Sequence, residues 1–146
     1  MNRHTATRCL QAVGALLTVL GLVHLAATPH IPELLRGSPQ VVYERAVGPT
    51  LLNHVLVGVL LVPLGVTTWL AAIASERGEL WALGIVVANT IVVFTLPLSI
   101  AVFMRRPEYY TSPLFLTGVL LTLVISLLMA VATTSLVRRR WRSGRS

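Results

Sequence analysis

Residues 51–74 decide the fold, and they read LLNHVLVGVLLVPLGVTTWLAAIA. No Arg, Lys, Asp or Glu interrupts this run. The hydrocarbon core of a bilayer, about 30 Å thick, is crossed by about 20 apolar residues of α-helix. A charged side chain at the centre of such a helix costs about 2.5 kcal/mol or more in lipid, so the absence of charge indicates a transmembrane span.

Three further stretches are equally free of charge, residues 9–28, 81–104 and 113–137. Together the four runs predict an all-α integral membrane protein that forms one four-helix bundle over residues 1–146. Residues 138–146 follow the last span as a basic cytoplasmic tail.

The composition excludes most other classes of protein. Hydrophobic residues make up 55% of the chain and charged residues only 12%. A water-soluble domain carries about 25% charged residues, and a disordered chain is far less hydrophobic than this one. Cys9 is the only cysteine, which excludes an internal disulfide and a cysteine-rich metal site.

The formal net charge of +7 comes largely from the tail. Directly after an apolar run, such arginines are typical of a cytoplasmic flank that contacts anionic lipid headgroups rather than nucleic acid. We therefore expect headgroup contacts from Arg138, Arg139, Arg140 and Arg142.

The distribution of arginines predicts the orientation. With both termini in the cytoplasm, the inner side holds eight arginines and the outer side four: Arg3, Arg8, Arg77 and five in the tail against Arg36, Arg45, Arg105 and Arg106. The positive-inside rule then favours a plasma (inner) membrane protein with the N and C termini inside. A cleaved signal peptide is the alternative interpretation of residues 9–28, although this run is longer than a usual signal core.

Residues that typically begin or end helices separate the spans. Gly48-Pro49-Thr50 predicts a helix start with Thr50 as N-cap, and Ser112-Pro113 predicts another. Residues 76–78 read Glu-Arg-Gly and predict a tight turn. In the long outer loop, Ser38-Pro39 predicts a short separate helix on the membrane surface.

Two histidines lie near the outer ends of consecutive spans. His24 is about four residues from the end of the first span and His54 about three residues inside the second. Because consecutive spans run antiparallel, the two imidazoles are predicted to lie at one depth. They suit a shared metal ion, a bis-histidine haem or a proton-handling pair, and the alternative is a purely structural role.

Helical spacing places both histidines on faces rich in small residues, which allow helices to pack closely in lipid. These faces hold Gly21, His24 and Thr28 in the first span, and His54, Gly58, Leu61, Gly65 and Thr68 in the second. A complete metal site needs more ligands, which His30 with Glu33 or Glu44 would have to supply from the outer loop. The metal-ligand set considered is thus His24, His54 and His30, and His4 is expected to be inert.

Other polar residues inside the spans have two interpretations. Asn89, Thr122 and Ser126 either hold helices together through hydrogen bonds or line a path for a solute. Outside the spans, residues 105–110 read RRPEYY and suit an anionic headgroup or a partner. No carboxylate lies in a span, no aspartate is present for a Ser-His-Asp triad, and no glycine-rich phosphate loop occurs.

Part of the chain resembles the DoxX-like and SURF4-like four-helix membrane proteins. The resemblance covers about half the chain and rests on Gly21-Leu22-Val23-His24, a proline-containing outer loop, and residues 58–65, which read GVLLVPLG. It implies a four-helix bundle and an accessory role beside redox or quinone-linked enzymes.

Three functions remain open at this point. The first is a non-enzymatic accessory or assembly subunit that packs against a membrane protein partner or a second copy of the chain. The second is a redox or ligand-binding protein in which His24 and His54 hold haem, a metal ion or a quinone. The third is a small oligomeric channel or transporter.

Overall fold

The computed structural model describes residues 1–37, 39–105, 110 and 113–143. Its helices are α1 (Arg3–Ala27), α2 (Ile31–Leu35), α3 (Gln40–Glu76), α4 (Leu80–Phe103) and α5 (Pro113–Ser143), with a 3₁₀ turn over Thr28–His30 between α1 and α2. No strand occurs in these ranges. The predicted all-α class is confirmed.

Four helical segments are long and apolar enough to cross a bilayer. They are Arg3–Leu35, Gln40–Glu76, Leu80–Phe103 and Phe115–Arg142. Each contains one of the four uncharged runs to within two residues, and all but Leu80–Phe103 extend past their run into charged sequence. This is the pattern of helices of a multi-pass membrane protein.

The predicted helix start at Thr50 is wrong. Helix α3 begins at Gln40 and continues through Pro49 and Pro63 as 37 residues. The expected separate helix after Pro39 is therefore the first part of α3. A proline removes only one backbone hydrogen bond of a helix, and helical sequence on both sides of Pro49 is long enough to carry the helix past that loss.

The predicted turn over residues 76–78 is confirmed. Gly78 has φ of 84°, a left-handed conformation that other residues adopt only with strain. The Glu79 N–H donates to the Ala74 carbonyl over 3.2 Å, and the Gly78 N–H donates to the Ser75 carbonyl over 3.1 Å. This pair of bonds is a Schellman motif, which ends α3 and lets α4 start after Glu79.

The chain divides into two compact units, one formed by Met1–Val13 with Thr68–Ser146 and the other by Gly14–Thr67. In the first unit α4 packs on α5. Its core includes Leu10, Val86, Val93, Ile125 and Met129, all at most 2% exposed. In the second unit Leu17, Ile31 and Leu61 are buried.

Candidate functional site

Within the unit Gly14–Thr67, helices α1 and α3 meet through glycine. A Cβ atom placed on Gly21 would lie 2.8 Å from the Val62 nitrogen and 2.9 Å from the Gly58 carbonyl oxygen. A Cβ atom on Gly65 would lie 2.5 Å from the Gly14 carbonyl oxygen. Side chains larger than hydrogen are thus excluded, and the two backbones are in direct contact. The predicted small-residue faces do point towards each other.

This contact brings the two histidines together. The ring centroids of His24 and His54 are 5.2 Å apart, and the ring planes are tilted by 34°. Both residues are half-buried. The prediction that the two imidazoles meet at one level is confirmed, because Gly21 and Gly58 set the helix separation one turn away from the rings.

The hydrogen bonds of the two rings differ. His24 Nδ1 lies 2.9 Å from the Leu20 carbonyl oxygen of the same helix. A carbonyl oxygen only accepts, so Nδ1 carries the proton and leaves Nε2 with a lone pair in the neutral ring. His54 Nδ1 is buried and has no hydrogen-bond partner among the described residues. A buried polar atom without a partner costs free energy, so this nitrogen is suited to a ligand.

These geometries restrict which ligand fits. A haem between two axial imidazoles would need its flat ring to enter between α1 and α3. The backbone contact of Gly21 with Gly58 occupies that space, so a haem clamped between the histidines does not fit. Two imidazoles do suit a transition metal ion that keeps open coordination positions for water or another ligand.

The residues predicted as further ligands do not group with the histidine pair. His30 Nδ1 is 4.0 Å from Glu33 Oε2, and both side chains are largely exposed. Glu44 accepts a hydrogen bond from Gln40 Nε2 at 2.7 Å. In the part of the chain that the structure describes, no three His, Cys, Asp or Glu side chains group closely enough to hold a metal ion. His30 therefore does not join the histidine pair as a third ligand.

The polar residues Asn89, Thr122 and Ser126 of the first unit differ in whether they connect helices. Asn89 Nδ2 donates to Thr68 Oγ1 at 2.9 Å. Ser126 Oγ lies 2.7 Å from the Thr122 carbonyl of its own helix and 3.3 Å from the Val93 carbonyl of α4, so its one proton is shared between the two acceptors. Thr122 instead donates to the Gly118 carbonyl of its own helix at 2.8 Å. Asn89 thus acts in helix packing and Ser126 in part, whereas the Thr122 hydroxyl bonds only within its own helix, where the Thr122 carbonyl also accepts from Ser126.

Two interhelical contacts were missed by the sequence reasoning. Thr90 and Thr133 share a hydrogen bond of 2.8 Å between α4 and α5. His4 Nδ1 lies 3.2 Å from Glu76 Oε1, so the histidine expected to be inert does have a partner. Both pairs join residues more than forty positions apart, and only helix register, which sequence spacing does not define, brings them together.

The basic segments are described in part. Arg139 donates to the Met1 carbonyl oxygen through Nε at 3.2 Å and Nη2 at 2.8 Å. The expected anion-binding residues 106–109, the N-cap Ser112 and Arg145 lie outside the described residues.

Comparison of the chain with protein-family models, with characterised proteins and with solved structures finds no match.

Proposed function

We propose that this protein is a non-enzymatic accessory or assembly subunit of a complex in the plasma (inner) membrane. The observation that supports this proposal is how the polar side chains inside the helices are used. Among the described residues, only Thr7 Oγ1 and His54 Nδ1 are buried side-chain polar atoms without a hydrogen-bond partner. Nearly all buried polar side chains thus have a hydrogen-bond partner in their own or a neighbouring helix, and few are left for substrate or solute.

Helix α4 is the helix we expect a partner to contact. Only 11% of the apolar 18-residue stretch in α4 is buried, which is the smallest share among the four apolar segments. Large side chains on its surface are well exposed, with Ile91 at 62% and Leu98 at 60%. In lipid, association of helices depends on packing, and long apolar side chains on one helix offer a broad packing surface. The DoxX-like resemblance adds redox or quinone-linked enzymes as the class of partner.

Photo-crosslinking in native membranes tests this proposal. A benzophenone amino acid is placed at Ile91 or Leu98, and at Leu127 of α5 as a control with 56% exposure. We expect a discrete protein adduct from the α4 positions and mainly lipid adducts from Leu127. Lipid adducts alone at all three positions, together with no copurifying protein in mild detergent, would refute the accessory role.

The proposed orientation has both termini in the cytoplasm. It is supported by the eight-to-four distribution of arginines and by the even number of apolar helices. A cysteine-free Cys9→Ala variant with single cysteines at Ser38 and Ser146 tests it with an impermeant maleimide on intact cells. We expect labelling at position 38 only. Labelling at position 146 on intact cells would contradict the orientation.

A second function is favoured by the unpartnered nitrogen of His54. We propose as this alternative that His24 and His54 together bind a small ligand, either a divalent transition metal ion or a quinone carbonyl. The two rings lie within 5.2 Å of each other, and a neutral imidazole nitrogen serves both as a metal ligand and as a hydrogen-bonding group.

Titration of the detergent-purified protein with Zn²⁺ and quinone extraction from native membranes test this alternative. We expect His24→Gln and His54→Gln each to weaken Zn²⁺ binding by at least tenfold or to remove bound quinone. His30→Gln is the matched control and is expected to behave as the parent protein. Unchanged binding of both ligands in the double variant would exclude the histidine pair as the site.

A further inference from the structure

A cavity of about 820 Å³ lies within the unit formed by Met1–Val13 and Thr68–Ser146. Residues from the chain start, from the α3–α4 turn and from the end of α5 line it. The Arg3 guanidinium donates to the Ser75 carbonyl at the end of α3, and Arg139 donates to the Met1 carbonyl. These bonds tie the first residues of the chain to both helix ends and form one wall of the cavity.

The lining is strongly basic. Five arginines face a single carboxylate, Glu79, and the five are Arg3, Arg138, Arg139, Arg140 and Arg142. The Glu79 carboxylate accepts a hydrogen bond from the indole N–H of Trp81. Neither Arg138 nor Arg142 forms an ion pair with a described carboxylate. Guanidinium groups bind phosphate oxygens in a bidentate geometry, so this lining is suited to a phosphate group.

The other lining residues are apolar. Leu80, Leu83 and Leu136 line the same cavity, and Leu80 is 68% exposed. Trp81 and Trp141 lie beside lining residues in the sequence and are 57% and 67% exposed. Exposed tryptophan close to arginine marks the headgroup level of a membrane interface. A ligand that fills this cavity therefore meets cationic and apolar walls together.

We propose that this cavity binds the headgroup phosphate of an anionic phospholipid, with Arg138 and Arg142 contacting the phosphate and the leucines contacting the start of the acyl chains. An apolar wall adds nothing to the binding of free phosphate, and this is why the lipid is favoured as the source of the phosphate. The residues that line this cavity include neither the α4 positions proposed for partner contact, Ile91 and Leu98, nor the histidine pair.

Native mass spectrometry of the full chain in detergent tests the proposal. The probes are dioleoyl phosphatidylglycerol, dioleoyl phosphatidylcholine and inorganic phosphate. For the unmodified protein we expect selective retention of phosphatidylglycerol. Each arginine near an anionic surface strengthens binding by about fivefold, so Arg138→Gln/Arg142→Gln is expected to weaken phosphatidylglycerol binding by about 25-fold.

The matched control is Arg36→Gln/Arg45→Gln, which also removes two positive charges, but at residues that do not line the cavity. This variant is expected to retain the lipid. Equal losses in both double variants would mean general charge attraction and would overturn the site. Equal retention of phosphatidylcholine by the unmodified protein, or binding of inorganic phosphate that displaces the lipid, would overturn the lipid assignment.

Discussion

Replacement of Gly65 by alanine tests the close contact of α1 with α3. The added Cβ would overlap Thr18 Oγ1 and would lie 2.5 Å from both the Thr18 nitrogen and the Gly14 carbonyl oxygen. Normal contact distances are about 3.5 Å, so the helices have to separate locally by about 1 Å. Two of the three atoms are backbone atoms, which no rotamer change can move away.

Overpacking typically costs about 1–3 kcal/mol, and because two of the three close atoms are backbone atoms, the cost here falls in the upper part of that range, about 2–3 kcal/mol. Alanine has the better helix propensity by about 1 kcal/mol, which offsets only part of that cost. The midpoint of thermal unfolding changes by about 3 °C for each kcal/mol in a chain of this size, so we expect Gly65→Ala to lower it by about 3–6 °C.

Circular dichroism at 222 nm during heating in detergent measures this midpoint. Gly84→Ala is the matched control, because nothing lies within 4 Å of a Cβ placed on Gly84 of α4. There the propensity gain is unopposed, and we expect a midpoint that is unchanged or higher by about 3 °C. If Gly65→Ala were as stable as Gly84→Ala, the inferred backbone contact of α1 and α3 would be wrong.

Three further predictions use the same unfolding measurement. Asn89→Leu removes the hydrogen bond to Thr68 and should lower the free energy of unfolding by about 0.6 kcal/mol or more. A double-mutant cycle with Thr68→Val should show coupling between the two positions, and purely additive losses would contradict the pairing. Gly78→Ala places a Cβ at φ of 84° and should cost about 1 kcal/mol, whereas no loss would mean that the turn is not left-handed. Thr7 is fully buried and its hydroxyl has no partner, so Thr7→Val should raise stability by about 1 kcal/mol; a loss of similar size would reveal a missed hydrogen bond.

Several features of the candidate site were predictable from helical periodicity. His24 and His54 share helix faces with glycines, and a face of small residues in a membrane helix is a packing face. The inward orientation of Gly21, Gly58 and Gly65 followed from that rule. The end of α3 at residues 76–78 was predictable as well, because only glycine adopts the left-handed geometry there without strain.

Other features needed the fold. The residues around Pro49 predicted a helix boundary, but α3 starts at Gln40 and runs through them. A long helix continues through a proline because only one hydrogen bond is lost there. The separation of His30 from the histidine pair depended on the path of the short helices after Thr28. Arg3 gave no sign in the sequence that it would reach the end of α3.

The amino-acid sequence by itself determined the class of this protein, because charge exclusion from lipid acts on each residue separately and leaves long uncharged runs. It also determined which faces of the helices pack, because small residues recur at helical spacing. The tertiary structure alone decided which polar atoms find partners and which do not. That outcome depends on the rotation and axial shift of one helix against another, and those are set by packing between residues far apart in the chain.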